Sequence, residues 1–188
     1  GWALAPDECM RLFIGKTVRS EAARIQAHTG KPLTDAWMAE FYQRRNVRLE
    51  AELQAIDGAL DAVAAVHARL AGRIACASGA DRYKVEMQLE KVGLAPYFAG
   101  RVFSGHEMPA TKPAPDVYLA AAAALGVPPQ RCLVVEDTVT GVTAGVAAGA
   151  TVVGFSPSAV GHGSPEALRG AGAVHVMVHL SELPALLG

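Results

Sequence analysis

The residues best suited to chemistry stand in three short stretches: Cys76-Ala-Ser78-Gly79, Lys112-Pro-Ala-Pro-Asp116 and Val134-Val-Glu136-Asp137. Glu136 and Asp137 are adjacent carboxylates at the end of the apolar run that starts at Cys132. At the end of a buried strand an uncompensated carboxylate is costly, so such a pair calls for a cation. An oxygen-only donor set suits Mg²⁺, which keeps waters and takes one or two protein carboxylates. The alternative is that Asp137 only caps the helix that follows. Lys112 precedes Pro113, with Pro115 two residues on. Prolines restrict the backbone before them. A lysine anchored there has little freedom left to lose when it neutralises a phosphoryl oxygen or orients a carboxylate. The alternative is a solvated surface lysine. Ser78-Gly79 offers a hydroxyl and free backbone N–H groups where a strand gives way to a helix. That is either an anion site or a routine helix cap.

These stretches need a scaffold that brings them together. The first third is helical in pattern, with segments at 7–13, 17–28 and from Thr34 to about 53. Thr34 is the expected N-cap of the last, and Trp37, Phe41 and Leu49 lie on its apolar positions. After Asp57-Gly58 and a helix at 59–70 the pattern changes. Short apolar strands at 73–77, 102–103, 132–135 and 151–155 alternate with helices at 81–92, 114–125 and 139–148. The run at 132–135 is the clearest buried strand. A weaker helix at 165–169, a strand at 174–177 and a terminal helix at 180–187 follow. Strands alternating with helices argue for βαβ units and a parallel sheet. In such sheets the polar residues just past the strands' carboxyl ends line the ligand crevice. Ser78, the loop from Ser104 to Lys112, and Glu136-Asp137 all occupy such places.

Composition narrows the class of function. Of 188 residues 51% are apolar and 19% charged, a folding composition with no low-complexity linker. The net charge is −1 and no Lys/Arg block occurs, which leaves no footprint for nucleic acid or for an anionic membrane surface. Cys9, Cys76 and Cys132 are too few and too far apart for a disulfide framework or a zinc spacing. No apolar stretch approaches the ~20 residues of a membrane span. The start of the chain has no signal-peptide pattern. The chain is expected to be soluble and cytoplasmic, with a small molecule as its partner. Its oligomeric state is not readable.

Taken in order, the three stretches resemble motifs two, three and four of the haloacid dehalogenase-like phosphatases. Gly93-Leu-Ala-Pro-Tyr-Phe98, Val102-Phe-Ser-Gly105 and Ala147-Ala-Gly149-Ala are similar to the β-phosphoglucomutase-like, sugar-phosphate phosphatase branch. The likeness is tight from about 58 to 155 and looser at both ends. It implies an α/β fold, a Rossmann-like parallel sheet core at 58–188, with a helical cap domain at 1–57. It implies that Ser78 and Gly79 bind the transferring phosphoryl group and that Lys112 bridges it to the nucleophile. Glu136 and Asp137 would hold Mg²⁺, directly or through water. Phe13-Ile-Gly-Lys16-Thr resembles the start of the cap's substrate-contacting segment. Lys16, Arg19, Arg44 and Arg45 are therefore candidates for gripping a substrate's remote polar groups; on physical grounds alone they are solvated helix faces.

The family's first motif is Asp-x-Asp on an N-terminal strand, and no Asp-x-Asp occurs in these residues. Asp7-Glu8 has no apolar strand before it and does not replace it. With no initiator Met present, the sequence is expected to start late. The missing piece would be a central strand, a loop and part of a helix, roughly 20–30 residues. The 188 residues as they stand are expected to be inactive. The implied activity is Mg²⁺-dependent hydrolysis of a sugar phosphate or sugar-acid phosphate such as 6-phosphogluconate, through an aspartyl-phosphate on an upstream Asp. The alternatives are a phosphosugar mutase, which shares every residue named here, and a non-catalytic phosphometabolite-binding relative. Dehalogenation fits less well, because it needs no metal-binding carboxylate pair.

Overall fold

The computed structural model of the chain describes residues 2–13, 16–157 and 163–187. Its first part is helical: α1 (Pro6–Phe13), a 3₁₀ turn at Arg19–Glu21, α2 (Ala22–Thr29) and α3 (Asp35–Glu52). Local chemistry sets these limits. Thr34 Oγ1 accepts from Trp37 N at 3.2 Å and starts α3. Gly30, at φ +69°, ends α2 in a left-handed turn that costs other residues strain.

From residue 59 onward helices and strands alternate: α4 (Ala59–Arg69), β1 (Cys76–Ser78), α5 (Arg82–Lys91), β2 (Val102–Ser104), α6 (Asp116–Leu125), β3 (Leu133–Glu136), α7 (Val139–Ala147), β4 (Thr151–Phe155), α8 (Pro165–Gly170) and β5 (His175–Met177). The pairing is parallel throughout, as β1-β2 and as β3-β4-β5. Ser78 stands opposite Ser104 and Glu136 opposite Gly154. The helix α6 packs on β1 and β2, α7 on β3 and β4, and α8 on β4 and β5. Val117, Val142, Val152, Leu168 and Met177 are fully buried between these layers. No helix among the described residues is long and apolar enough to cross a membrane.

Three expectations need correction. The first strand begins at Cys76 rather than Arg73, because β2 offers it only three residues to pair with. The strand β3 is not uniformly buried, since Val135 is 37% exposed. The C-terminal segment Leu180–Leu187 is 3₁₀ rather than α-helical, with Pro184 inside it.

The exposed side of Val135 belongs to an apolar groove of about 590 Å³. It runs between β1 and β3, lined by Val66, Leu70, Ala77, Ala121, Leu133 and Leu180 among others. Cys76 N donates to Arg101 O, and Thr151 N donates to Cys132 O. In a parallel ladder alternate residues face alternate neighbours. The main-chain groups of Ala77 and of Leu133 and Val135 therefore turn away from their paired strands, toward this groove.

Candidate active site

Lys112 joins the carboxyl ends of the two sheets. Its Nζ donates to the Ala77 carbonyl of β1 at 3.2 Å and to the Tyr118 hydroxyl at 2.8 Å. It also donates to Oε1 of Glu136, the last residue of β3. The Tyr118 hydroxyl donates to the same Oε1, and Thr138 Oγ1 donates to Oε2 at 3.3 Å. The Lys112 and Glu136 side chains are 11% and 9% exposed. The reading of Lys112 as a solvated surface lysine is thereby set aside. The lead-in to α6 holds it there, with a cis Lys112–Pro113 peptide.

The charges around Tyr118 keep it protonated. Burial comes first, then the Glu136 charge and hydrogen bond, with a smaller push from Asp137; together they hold its phenol far above the ordinary range. It is a fixed donor. Burial also raises the thiol of half-buried Cys76, with Lys112 pulling back in part, which disfavours a thiolate there.

Glu136 sits in a space that only a glycine leaves open. A Cβ on Gly141 would lie 2.0 Å from Glu136 Oε2. The cap of α7 is Thr138, whose Oγ1 accepts from Gly141 N at 3.0 Å. Asp137 is therefore not that helix's cap, and its main-chain carbonyl accepts from Gly163 N at 2.7 Å. One part of the sequence argument changes: Lys112 already supplies Glu136 with a cation, so burial of Glu136 alone does not require a metal. Among the described residues no group of three or more His, Cys, Asp or Glu converges. Adjacent carboxylates at a strand end still fit Mg²⁺, which takes one or two such ligands and fills the remainder with water.

Ser78 ends β1 and is half-buried; its Oγ accepts from Ala80 N at 3.2 Å. The cap of α5 is Asp81, whose Oδ1 accepts from Lys84 N at 3.0 Å, so Ser78 is not a routine cap either. Fully buried Ser104 donates from Oγ to the Ala80 carbonyl at 2.6 Å. Gly105 lies against Gly79, where an added Cβ would stand 3.3 Å from Gly79 Cα. The Ser78-Gly79-Ala80 turn is thus held from below by the end of β2.

The four cations proposed for substrate contact separate. Lys16 pairs with Glu21 at 3.4 Å, Arg19 with Asp35 at 3.3 Å and Arg44 with Glu40 at 2.5 Å, all within the N-terminal helical part. Ile14 and Gly15, beside Lys16, lie outside the described residues. Arg45 alone of the four pairs across to the sheet-bearing part, with Asp81 at 3.0 Å. Sequence reasoning missed Tyr118 and Asp81 as site-forming residues; it placed Ser104 in a crevice-lining loop without the support that its hydroxyl gives Ala80. A phenol on the first turn of an otherwise apolar helix was the available signal for Tyr118.

Known proteins are similar to this chain in sequence and in fold. A family profile described as haloacid dehalogenase-like hydrolase matches residues 5–149. The chain is 29% identical to 6-phosphogluconate phosphatase of Escherichia coli K12, over 99% of this chain and 80% of that protein. It is 32% identical to hexitol phosphatase A of the same organism, over 83% and 70%. Among solved structures, a conserved haloacid dehalogenase-like protein of Agrobacterium tumefaciens superposes with a TM-score of 0.81 at 32% identity, covering 100% of this chain and 84% of that one. CbbY of Rhodobacter sphaeroides, solved in complex with xylulose-1,5-bisphosphate, gives 0.78 at 25% identity, over 97% and 81%. With the motif residues assembled as described and the profile covering most of its length, the chain belongs to the haloacid dehalogenase-like hydrolase family.

Proposed function

We propose that the protein is a Mg²⁺-dependent phosphomonoester hydrolase of sugar phosphates or sugar-acid phosphates, 6-phosphogluconate among them. The observation that carries this reading is the Lys112–Glu136–Tyr118 cluster, which joins the ends of β1 and β3 beside Ser78. Similarity to 6-phosphogluconate phosphatase and hexitol phosphatase A supports the substrate class. Ser78 Oγ and the N–H groups of the turn at Gly79 bind the phosphoryl oxygens. Lys112 neutralises charge between that group and the nucleophile, held by Glu136 and Tyr118 so that little reorganisation accompanies transfer. Glu136 and Asp137 hold Mg²⁺, which when bound draws charge from the phosphoryl oxygens.

The nucleophile in this reading is an Asp on a strand that fills the groove between β1 and β3, parallel to both. The apolar lining and the main-chain groups turned into the groove support this placement. The phosphorus bonds to an oxygen of the first Asp in the Asp-x-Asp motif as its bond to the sugar oxygen breaks. The sugar oxygen takes a proton from the motif's second Asp, which later takes one from the attacking water, so the sugar leaves as a neutral alcohol. Water then attacks phosphorus, frees inorganic phosphate and restores the Asp. Residues 1–57 act as a cap over the core at 58–188.

The test is phosphate release from a panel of sugar phosphates by the protein at its native length, with Mg²⁺. Asp137→Asn should abolish Mg²⁺-dependent turnover and leave the circular dichroism spectrum unchanged. Wild-type turnover in that variant at limiting Mg²⁺ would refute the metal assignment. No phosphate release from any panel member would refute the activity. An isomerised phosphosugar with little free phosphate would make the protein a mutase.

A further inference from the structure

The loop that leads to Lys112 starts beside the turn that follows β1. Ser104 ends β2, and the 3₁₀ turn Gly105–Glu107 continues from it. Arg82, the first residue of α5, reaches across to this turn. Its Nε donates to Glu107 Oε1 at 2.6 Å and its Nη2 to Oε2 at 2.5 Å. The third nitrogen, Nη1, donates to Glu86 Oε1 at 3.1 Å, one turn along α5. A planar guanidinium that meets a carboxylate through two parallel bonds fixes direction as well as distance.

The place of this pair matters more than its charge. Residues 104–112 are tied to residues 77–82 at three points: Ser104 to the Ala80 carbonyl, Glu107 to Arg82, and Lys112 to the Ala77 carbonyl. Among the described residues, Arg82–Glu107 is the only hydrogen-bonded side-chain link from 105–111 to that stretch. Residues 108–111 beyond it form no helix or strand. The Arg82 and Glu107 side chains are 41% and 42% exposed, so their pairing adds little to folding. Arg44 and Glu40 join neighbours on one helix, whereas Arg82 and Glu107 stand 25 residues apart and join two segments of the site.

We infer that Arg82 and Glu107 are positioning residues for phosphoryl transfer: their two-point pair holds the Ser78-Gly79-Ala80 turn in register with the loop that presents Lys112. The inference rests on the hydrolase reading above. The pair acts through the turn and the loop, whose spacing must suit a phosphoryl group held between Ser78 and Lys112. Misplacing such groups by about 1 Å slows a reaction about a hundredfold. Phosphoryl transfer is especially exposed to that loss, because the protein contributes mainly position and charge.

Phosphate release from the sugar-phosphate panel, at native length with Mg²⁺, is measured beside urea unfolding. Glu107→Gln should lower kcat at least about tenfold and leave KM within about threefold. Its urea midpoint should stay within about 0.5 M of the unmodified value. Arg82→Lys keeps the charge but loses the fork, so its kcat should fall nearly as far. The double variant should be no slower than the slower single one, since both changes break one link. A smaller fall in kcat for Glu107→Gln, a loss confined to KM, or losses that multiply in the double variant would overturn the positioning role. So would a larger midpoint shift, which would make the pair a support of the fold at large. Each of these outcomes leaves the hydrolase reading standing. No phosphate release from any panel member by the unmodified protein overturns that reading and the inference together.

Discussion

Lys112 and Arg44 are each paired with a glutamate, yet the two pairs belong to different regimes. Arg44 and Glu40 lie on the outer face of α3, with side chains 79% and 58% exposed. Lys112 and Glu136 are 11% and 9% exposed and share Tyr118 as a third member. Water does most of the work of stabilising the first pair, so the partners are nearly independent of each other. In the second pair each charge is the other's substitute for solvent, so removing one strands the other. The lesson is that burial, rather than ion pairing, separates a working lysine from an ornamental arginine.

The sharpest way to break this contrast is Lys112→Ala. It leaves Glu136 buried without its cation and should cost about 3–5 kcal/mol of stability in urea unfolding. Turnover should fall at least about a hundredfold. A stability change under about 1 kcal/mol would mean that water solvates Glu136 and that the contrast is false.

The Arg45–Asp81 pair lies between the extremes, and pH probes it. Burial raises the Asp81 carboxyl, but the Lys84 N–H bond and Arg45 outweigh it, so the net effect holds it below its ordinary value. A lowered carboxylate stabilises the fold above its ordinary pKa, and this contribution fades as pH falls through the lowered value. Stability in urea should therefore drop below about pH 5, and Asp81→Asn should remove part of that slope. An unchanged slope in the variant would show that Asp81 is not coupled to folding. The smallest effect belongs to Arg44→Ala, which should move stability by no more than about 0.5 kcal/mol and leave activity unchanged. A larger loss would remove the solvated end of the comparison.

Much of the scaffold was legible because helix ends are written locally. Thr34 and Asp81 cap the helices they precede, and Gly30 and Gly126 close α2 and α6. Order and spacing likewise brought Ser78, Lys112 and Glu136 to the strand ends. What was not legible depends on partners far away in the chain. Tyr118 lies on an apolar helix and reads as core; only the approach of Lys112 and Glu136 makes its hydroxyl part of the site. Ser104 gains its role from Ala80, and Arg45 differs from Arg44 only in which way α3 is turned against α5. The exposure of Val135 depends on what lies alongside β3, which a four-residue apolar run does not disclose.

The hydrogen on Gly141 also constrains how this site can drift. Its missing side chain and the Glu136 carboxylate claim the same volume. The two positions therefore form a single coupled locus, and substitutions there do not add. Alanine at 141 is closed while glutamate stays at 136, but shortening 136 to aspartate withdraws the carboxylate and opens the way. Changing 136 first removes that clash but gives up the contacts with Lys112 and Tyr118, so the packing ties both positions to the site whichever changes first.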